Sequence, residues 1–241
     1  MASATGIPQV HPATIEQRED APLLGSPGGA TQKQDESIGR NLLSGTASVA
    51  QAGVWILAAL VWSNIIAQPL SLFTPHPFLA TSALLLQVQA TLILQPTTTP
   101  AQKRLGTRIH YSFQLFSILS FLGAFAIIEI NKGDHPHFVS PHGILGLTTV
   151  TLVVLQALVG VVQYFLPVPI LGSVDAGKRL YKYHRWSGYV LLLLEVSTIV
   201  AATQTGYNLE VLQIPSWAVV IAILLILAGV GARIQKHKLG I

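Results

Sequence analysis

The sequence predicts an all-α integral membrane protein with six transmembrane helices, and three observations carry that prediction. Of its 241 residues, 51% are hydrophobic and only 10% charged, with a mean hydropathy of +0.55. Apolar runs near twenty residues long alternate with short polar segments, the pattern of a polytopic protein whose spans must satisfy their own backbone hydrogen bonds as helices. The cationic residues, finally, fall almost entirely in alternate connecting segments.

Residues 1–42, rich in Pro, Gly, Gln, Ser and Thr and without periodicity, are expected to form a disordered cytoplasmic tail. No apolar stretch follows the initiator Met, so a cleaved signal peptide is not expected, and the first run, Ala47–Ile66, reads as a retained span. The next spans are Phe78–Leu94, Ile109–Ile130 and Gly143–Phe165. Gly188–Ala202 follows, with a polar approach from Tyr181, and Ser216–Ile234 is the last. Residues 43–236 thus form one six-helix domain, and 237–241 a short cytoplasmic tail.

Six crossings put both termini on one side. The N-terminal tail, the loops Lys103–Arg108 and Lys178–Arg185 and the segment Arg233–Lys238 then share that side. Among them they hold every Lys and Arg except Lys132. The positive-inside rule makes that side cytoplasmic. The pI near 9.5 is therefore topology, and no nucleic-acid partner is expected. The chain has no cysteine, which excludes disulfides, covalent c-type haem, thiolate-ligated haem and cysteine-held iron–sulfur clusters.

Four histidines stand at helix starts: His76, His110, His142 and His184. His76 and His142 open spans that enter from the outer face; His110 and His184 open spans that enter from the cytoplasm. Each membrane surface therefore has two imidazoles on parallel helices, as needed to clamp a planar metal macrocycle from both sides. Bis-imidazole ligation fills both axial positions of a haem iron and favours electron transfer over oxygen chemistry. Gly146 and Gly188 follow His142 and His184 by four residues, on the same helix face. They leave that face bare of side chain, as a porphyrin lying against it requires. A single such histidine could equally cap a helix or bond a loop carbonyl; four in like-oriented pairs favour the cofactor.

SLFTPHPFL (71–79), the basic run before His110, the Ser-x-His-Gly at 140–143 and the Tyr-x-x-His-x-x-x-Gly at 181–188 resemble the cytochrome b561 family, over about residues 45–235. The resemblance implies a central four-helix haem-binding bundle holding two non-covalent haem b groups. His76 with His142 would ligate the outer haem and His110 with His184 the inner one, with the first and last spans packed outside. It also implies a transmembrane oxidoreductase, moving electrons from cytosolic ascorbate to monodehydroascorbate or ferric iron on the exoplasmic or lumenal side of a plasma membrane or endomembrane.

Lys103, Arg104, Arg108, Lys178, Arg179 and Lys182, with Tyr181, converge near the expected inner haem. They could gather an anionic reductant there, or serve only topology and lipid contact. His135 and His137, beside Asp134 in the outer loop, offer an H-x-H acceptor site for a transition metal, against a simple solvated loop. Glu195, eleven residues past His184, falls about 16 Å along its helix, near the bilayer centre, where a carboxyl needs a partner such as Gln87 or Gln156. The rival readings are a cofactor-free membrane scaffold or solute carrier, and a haem-bearing subunit of a larger oxidoreductase. A homodimer is left open.

Overall fold

A computed structural model describes residues 22–241, all-helical with no strand among the described residues. Five helices are long and apolar enough to cross a membrane: α1 (Ala47–Ile66), α2 (Pro75–Leu94), α3 (Pro100–Lys132), α4 (Pro141–Phe165) and α6 (Val174–Ala202). A single extra turn, α5 (Pro167–Leu171), joins α4 to α6, and α7 (Ser216–Gly231) closes the series. At 16 residues α7 is about 24 Å long, against ~30 Å of hydrocarbon. It ends three residues before the expected Ile234.

The helix starts follow from local chemistry. Thr99 caps α3 through a reciprocal capping box with Gln102, with Pro100 in the first turn. Ser140 and Ser173 accept from the backbone N–H groups of Gly143 and Ala176 and so open α4 and α6. Thr99 and Ser173 lie well upstream of the apolar runs they precede. The segments expected as loops, Lys103–Arg108 and Lys178–Arg185, are therefore helical: their cations ride on the first turns of α3 and α6. Gly133 (φ +53°) and Gly172 (φ +80°) end α3 and α5 in backbone conformations that other residues rarely adopt.

The densest apolar core lies between α1, α2 and α7, around Leu57, Leu84, Leu92, Val219 and Ile226. Small residues bring α1 and α7 together. A Cβ on Gly53 would stand 2.5 Å from the Ala222 carbonyl oxygen, and one on Gly229 would strike the Ala50 backbone. Gln51 and Gln89 exchange two amide hydrogen bonds and lock α1 to α2. By contrast α3, α4 and α6 bury few side chains and present a belt of exposed leucines, among them Leu119, Leu155 and Leu193.

Of the N-terminal tail, residues 1–21 lie outside the described residues. The remainder is not loose: Gln32 and Asn41 are buried, and Asn41 donates to Gln32 Oε1 and to the Ile93 carbonyl. Gly28 N–H reaches the Ala232 carbonyl. The C-terminus is likewise bound down, through a short turn at Lys236–Lys238 and the buried Leu239. Polar side chains with partners distant in sequence hold residues 22–42 against the helices, contacts that local composition does not register.

Candidate functional site

α2 packs along α3 and α4 along α6, but the two antiparallel pairs touch each other sparingly. They meet in a small apolar plug made of Ala83, Phe121, Val153 and Leu191, one residue from each helix. His76 and His142 lie on one side of that plug, His110 and His184 on the other, in the pairs that the sequence predicted.

Three of the four imidazoles are oriented by the backbone of their partner helix. His76 Nδ1 bonds the Ala124 carbonyl of α3 at 2.8 Å, and His110 Nδ1 returns the contact to the Ala90 carbonyl of α2 at 3.1 Å. His142 Nδ1 bonds the Thr198 carbonyl of α6 at 3.0 Å. A carbonyl can only accept, so Nδ1 carries the proton in each ring and Nε2 keeps its lone pair, the form a metal requires. His184 differs: its Nδ1 is buried without a partner. In the α4–α6 register that sets His142 against Thr198, His184 falls opposite Gln156, whose side-chain amide donates to the His184 carbonyl at 2.6 Å.

The rings of His76 and His142 stand with centroids 6.1 Å apart and planes at 82°. Two imidazoles on opposite sides of one ion, at about 2 Å each, hold their ligating nitrogens ~4 Å apart and their ring centres roughly 6 Å apart. That spacing leaves room for one metal-centred group held between the two imidazoles. A cavity of about 310 Å³ surrounds this pair, and Ala80, Gly146, Phe125 and Thr198 line it. Gly146 opens onto it, since a Cβ there would meet nothing closer than 4.0 Å. At the other end His184 lies near enough to His110 for the rings to interact electrostatically. There the small residue is Gly160, whose Cβ would stand 3.3 Å from His184 Cε1. Gly188 instead abuts the Gln156 amide, at 3.2 Å from its notional Cβ, so its smallness serves the approach of α4 to α6.

Beyond His110 and His184, at the cationic end, a cavity of about 800 Å³ is lined by Lys103, Lys178, Arg179, Tyr181, Lys182 and Arg185. Arg104 and Arg108 are not among its lining residues. The wall that the sequence did not anticipate comes from the C-terminus, through His237, Lys238 and Gly240. Lys178 is paired with the exposed Asp175 at 2.8 Å. Burial, then the neighbouring Arg185 and Lys103, push the Lys238 ammonium down to about 8.

A family model for eukaryotic cytochrome b561 matches residues 75–209, more than half of the chain, from the first turn of α2 past the end of α6. The chain belongs to the cytochrome b561 family. No curated protein and no solved structure matches it. As a member of that family it is an integral membrane electron-transfer protein of the haem b class, and the matched segment holds all four paired histidines.

At the end away from the cations, this cytochrome b561 does not bring its H-x-H pair together. His137 Nδ1 bonds the Glu129 carboxylate and its Nε2 bonds the Gly133 carbonyl. His135 joins neither, and no group of three or more potential ligands converges on a metal site among the described residues. The Gly133 carbonyl and then the Glu129 carboxylate hold the His137 imidazolium above its usual 6.5. Phe138, next in the chain, has φ +54°, a strained setting for an aromatic residue. It lines the His76–His142 cavity, parallel to Phe125. Only coordinates reveal that strain.

Glu195 is 2% exposed and lines the same cavity, with neither carboxyl oxygen hydrogen-bonded. Of its expected partners, Gln156 is engaged by His184 and Ser187. Gln87 approaches the carboxyl without forming a well-shaped bond.

Proposed function

We propose that His76 with His142 and His110 with His184 each hold one haem b, and that the protein carries electrons across its membrane from a cytosolic reductant, ascorbate, to an exoplasmic or lumenal acceptor, monodehydroascorbate or ferric iron. Both termini then lie in the cytosol and α7 makes a short sixth crossing. The observation that carries this reading is the set of three Nδ1–carbonyl clamps. Each presents a neutral imidazole with Nε2 available, in like-placed pairs across the gap between two helix hairpins.

Held by His76 with His142 and His110 with His184, haem b would supply one-electron transfer chemistry. The chain's own residues do the rest. Ala124, Ala90 and Thr198 fix ring orientation through their carbonyls, and the Ala83–Phe121–Val153–Leu191 plug keeps water out of the middle of the bundle. The cluster around Lys103, Arg179, Lys182 and Arg185 attracts an anionic donor to the cationic end. Where the cytosol is negative, outward electron movement is favoured by about 2.3 kcal/mol per 100 mV.

Haem stoichiometry tests the reading. Purified wild type should bind two b haems, and His142→Ala and His184→Ala should each lose one, spectrally distinct from the other. Loss of the same haem from both variants would overturn the pairing.

A further inference from the structure

The basic cavity is not a product of the membrane helices alone. One wall is supplied by a C-terminal strap, Lys236–Ile241, through His237, Lys238 and Gly240, and the strap lies wholly beyond the family-matched segment. The strap is pinned at several points. Lys238 Nζ donates to the Gln95 carbonyl at 2.7 Å and the Thr97 carbonyl at 3.0 Å, at the end of α2. Arg185, next to His184, donates to the Lys238 carbonyl at 2.8 Å. Leu239 is buried, and Gly240 sits against the Lys182 stem.

Among the described residues, no carboxylate lines the cavity. Lys103 from α3, Arg179, Lys182 and Arg185 from α6, and Lys238 from the strap therefore share one recess, with only Lys178 offset by Asp175. Gathering like charges around a recess is unfavourable unless an anion completes the set. The strap increases that excess where it could have relieved it.

We propose that this C-terminal strap is part of the donor site, with Lys238 as the positioning residue that seats it and adds the charge that retains a small oxyanion in the recess. The inference rests on the reading of the cationic end as the donor face, and deepens it. The ligand class is a compact anion with carboxylate, enolate or phosphate oxygens, for which a free metabolite and a lipid headgroup are the two sources. Lys238 keeps its charge only to about pH 8. The groups facing it are Arg185 from α6 and Lys103 from α3, together with the Gln95 and Thr97 carbonyls, so it gives the site a pH signature of its own.

The test uses full-length haem-loaded protein in nanodiscs of neutral lipid, comparing wild type, Lys238→Met, Lys238→Arg and a chain stopped at Gln235. Ascorbate-driven haem reduction is followed by stopped flow, and inorganic phosphate binding is measured separately by equilibrium dialysis. In Lys238→Met and the truncated chain the effect should fall on KM rather than kcat, a rise of about tenfold, with phosphate affinity falling in parallel. Lys238→Arg should restore both and remove the loss of affinity that wild type shows as pH passes 8. Unchanged KM and phosphate affinity in the truncated chain would overturn the proposal. If ascorbate fails to reduce even wild type while dithionite succeeds, the donor reading falls, and the phosphate arm still decides the strap. Phosphate binding suppressed by adding phosphatidylserine to the discs would support the strap site and make the lipid headgroup its ligand.

Discussion

Gly160→Ala is the sharpest probe of the histidine geometry. The added methyl would stand 3.3 Å from His184 Cε1 and 3.9 Å from Nε2. Carbon atoms prefer about 3.5–4.0 Å, so the ring must retreat by roughly 0.2–0.7 Å. Nothing on the protein side resists, because His184 Nδ1 has no hydrogen bond to lose. The stability cost should therefore lie at the lower end of the ~1–3 kcal/mol typical of overpacking, and the fold should survive. A metal bond is less forgiving, since ligand distances hold within about 0.2 Å. On the proposed ligation, the variant should keep the haem at His76 and His142 unaltered, while the one at His110 and His184 shows a shifted low-spin EPR signal or partial loss. Gly146→Ala, with 4.0 Å to its nearest neighbour, is the matched control, and its ligand geometry should not change. Identical EPR spectra in Gly160→Ala and wild type would refute the placement of His184 as a ligand.

Three other outcomes follow from the same coordinates. Glu195→Met removes a buried carboxyl that Gln87 approaches without a well-shaped bond, so the thermal midpoint followed at the Soret band should rise, by a stability gain of about 1 kcal/mol; a fall would mean that the carboxyl is satisfied in the membrane. Gly229→Val drives a side chain into the Ala50 backbone and should lower the midpoint by separating α1 from α7, while the haem spectra of the folded fraction stay unchanged. His137, raised above 6.5 by its Gly133 and Glu129 bonds, contributes stability that is complete below 6.5 and is lost as pH rises through its folded value. Amide exchange in residues 133–140 should accelerate over that window in wild type, and His137→Gln should abolish the pH dependence.

What the sequence disclosed and what it concealed divide along a physical line. Ala47–Ile66 was legible to the residue, because a mainly apolar run of that length, bounded by Gly45–Thr46 and Gln68–Pro69, marks its own ends. The pairing of the histidines was legible too, since it depends only on helix polarity and on which end of each span carries the ring. Polar approaches misled: Thr99 and Ser173 nucleate helix well upstream of the hydrophobic boundary, which turned two expected loops into helix. The carbonyl clamps, Gly160 and the Lys238 contacts were out of reach, because each depends on the register between helices, which no local pattern encodes. Gly188 shows the same limit: its position was read correctly and its neighbour was not.

One structural contrast ties the scaffold to the proposed chemistry. Two helix hairpins, each internally clamped by histidine–carbonyl bonds, meet through the Ala83–Phe121–Val153–Leu191 plug and leave a cavity between them at the His76–His142 end. Of the second hairpin, α6 is also held by Leu192 and Val196 in the α1–α2–α7 core and by the hydrogen bond that Gln95 donates to the Tyr189 hydroxyl. A group held by histidines of both hairpins, as proposed, would tie α4 to α2 as well, and its binding free energy would become part of the fold's stability. Meanwhile the close α1–α7 seam and the Gln51–Gln89 exchange supply rigidity on one flank, independent of any cofactor. α4 has no such buttress of its own and packs on α6, α3 and α5. Its position is therefore the one that would depend most on a group held through His142.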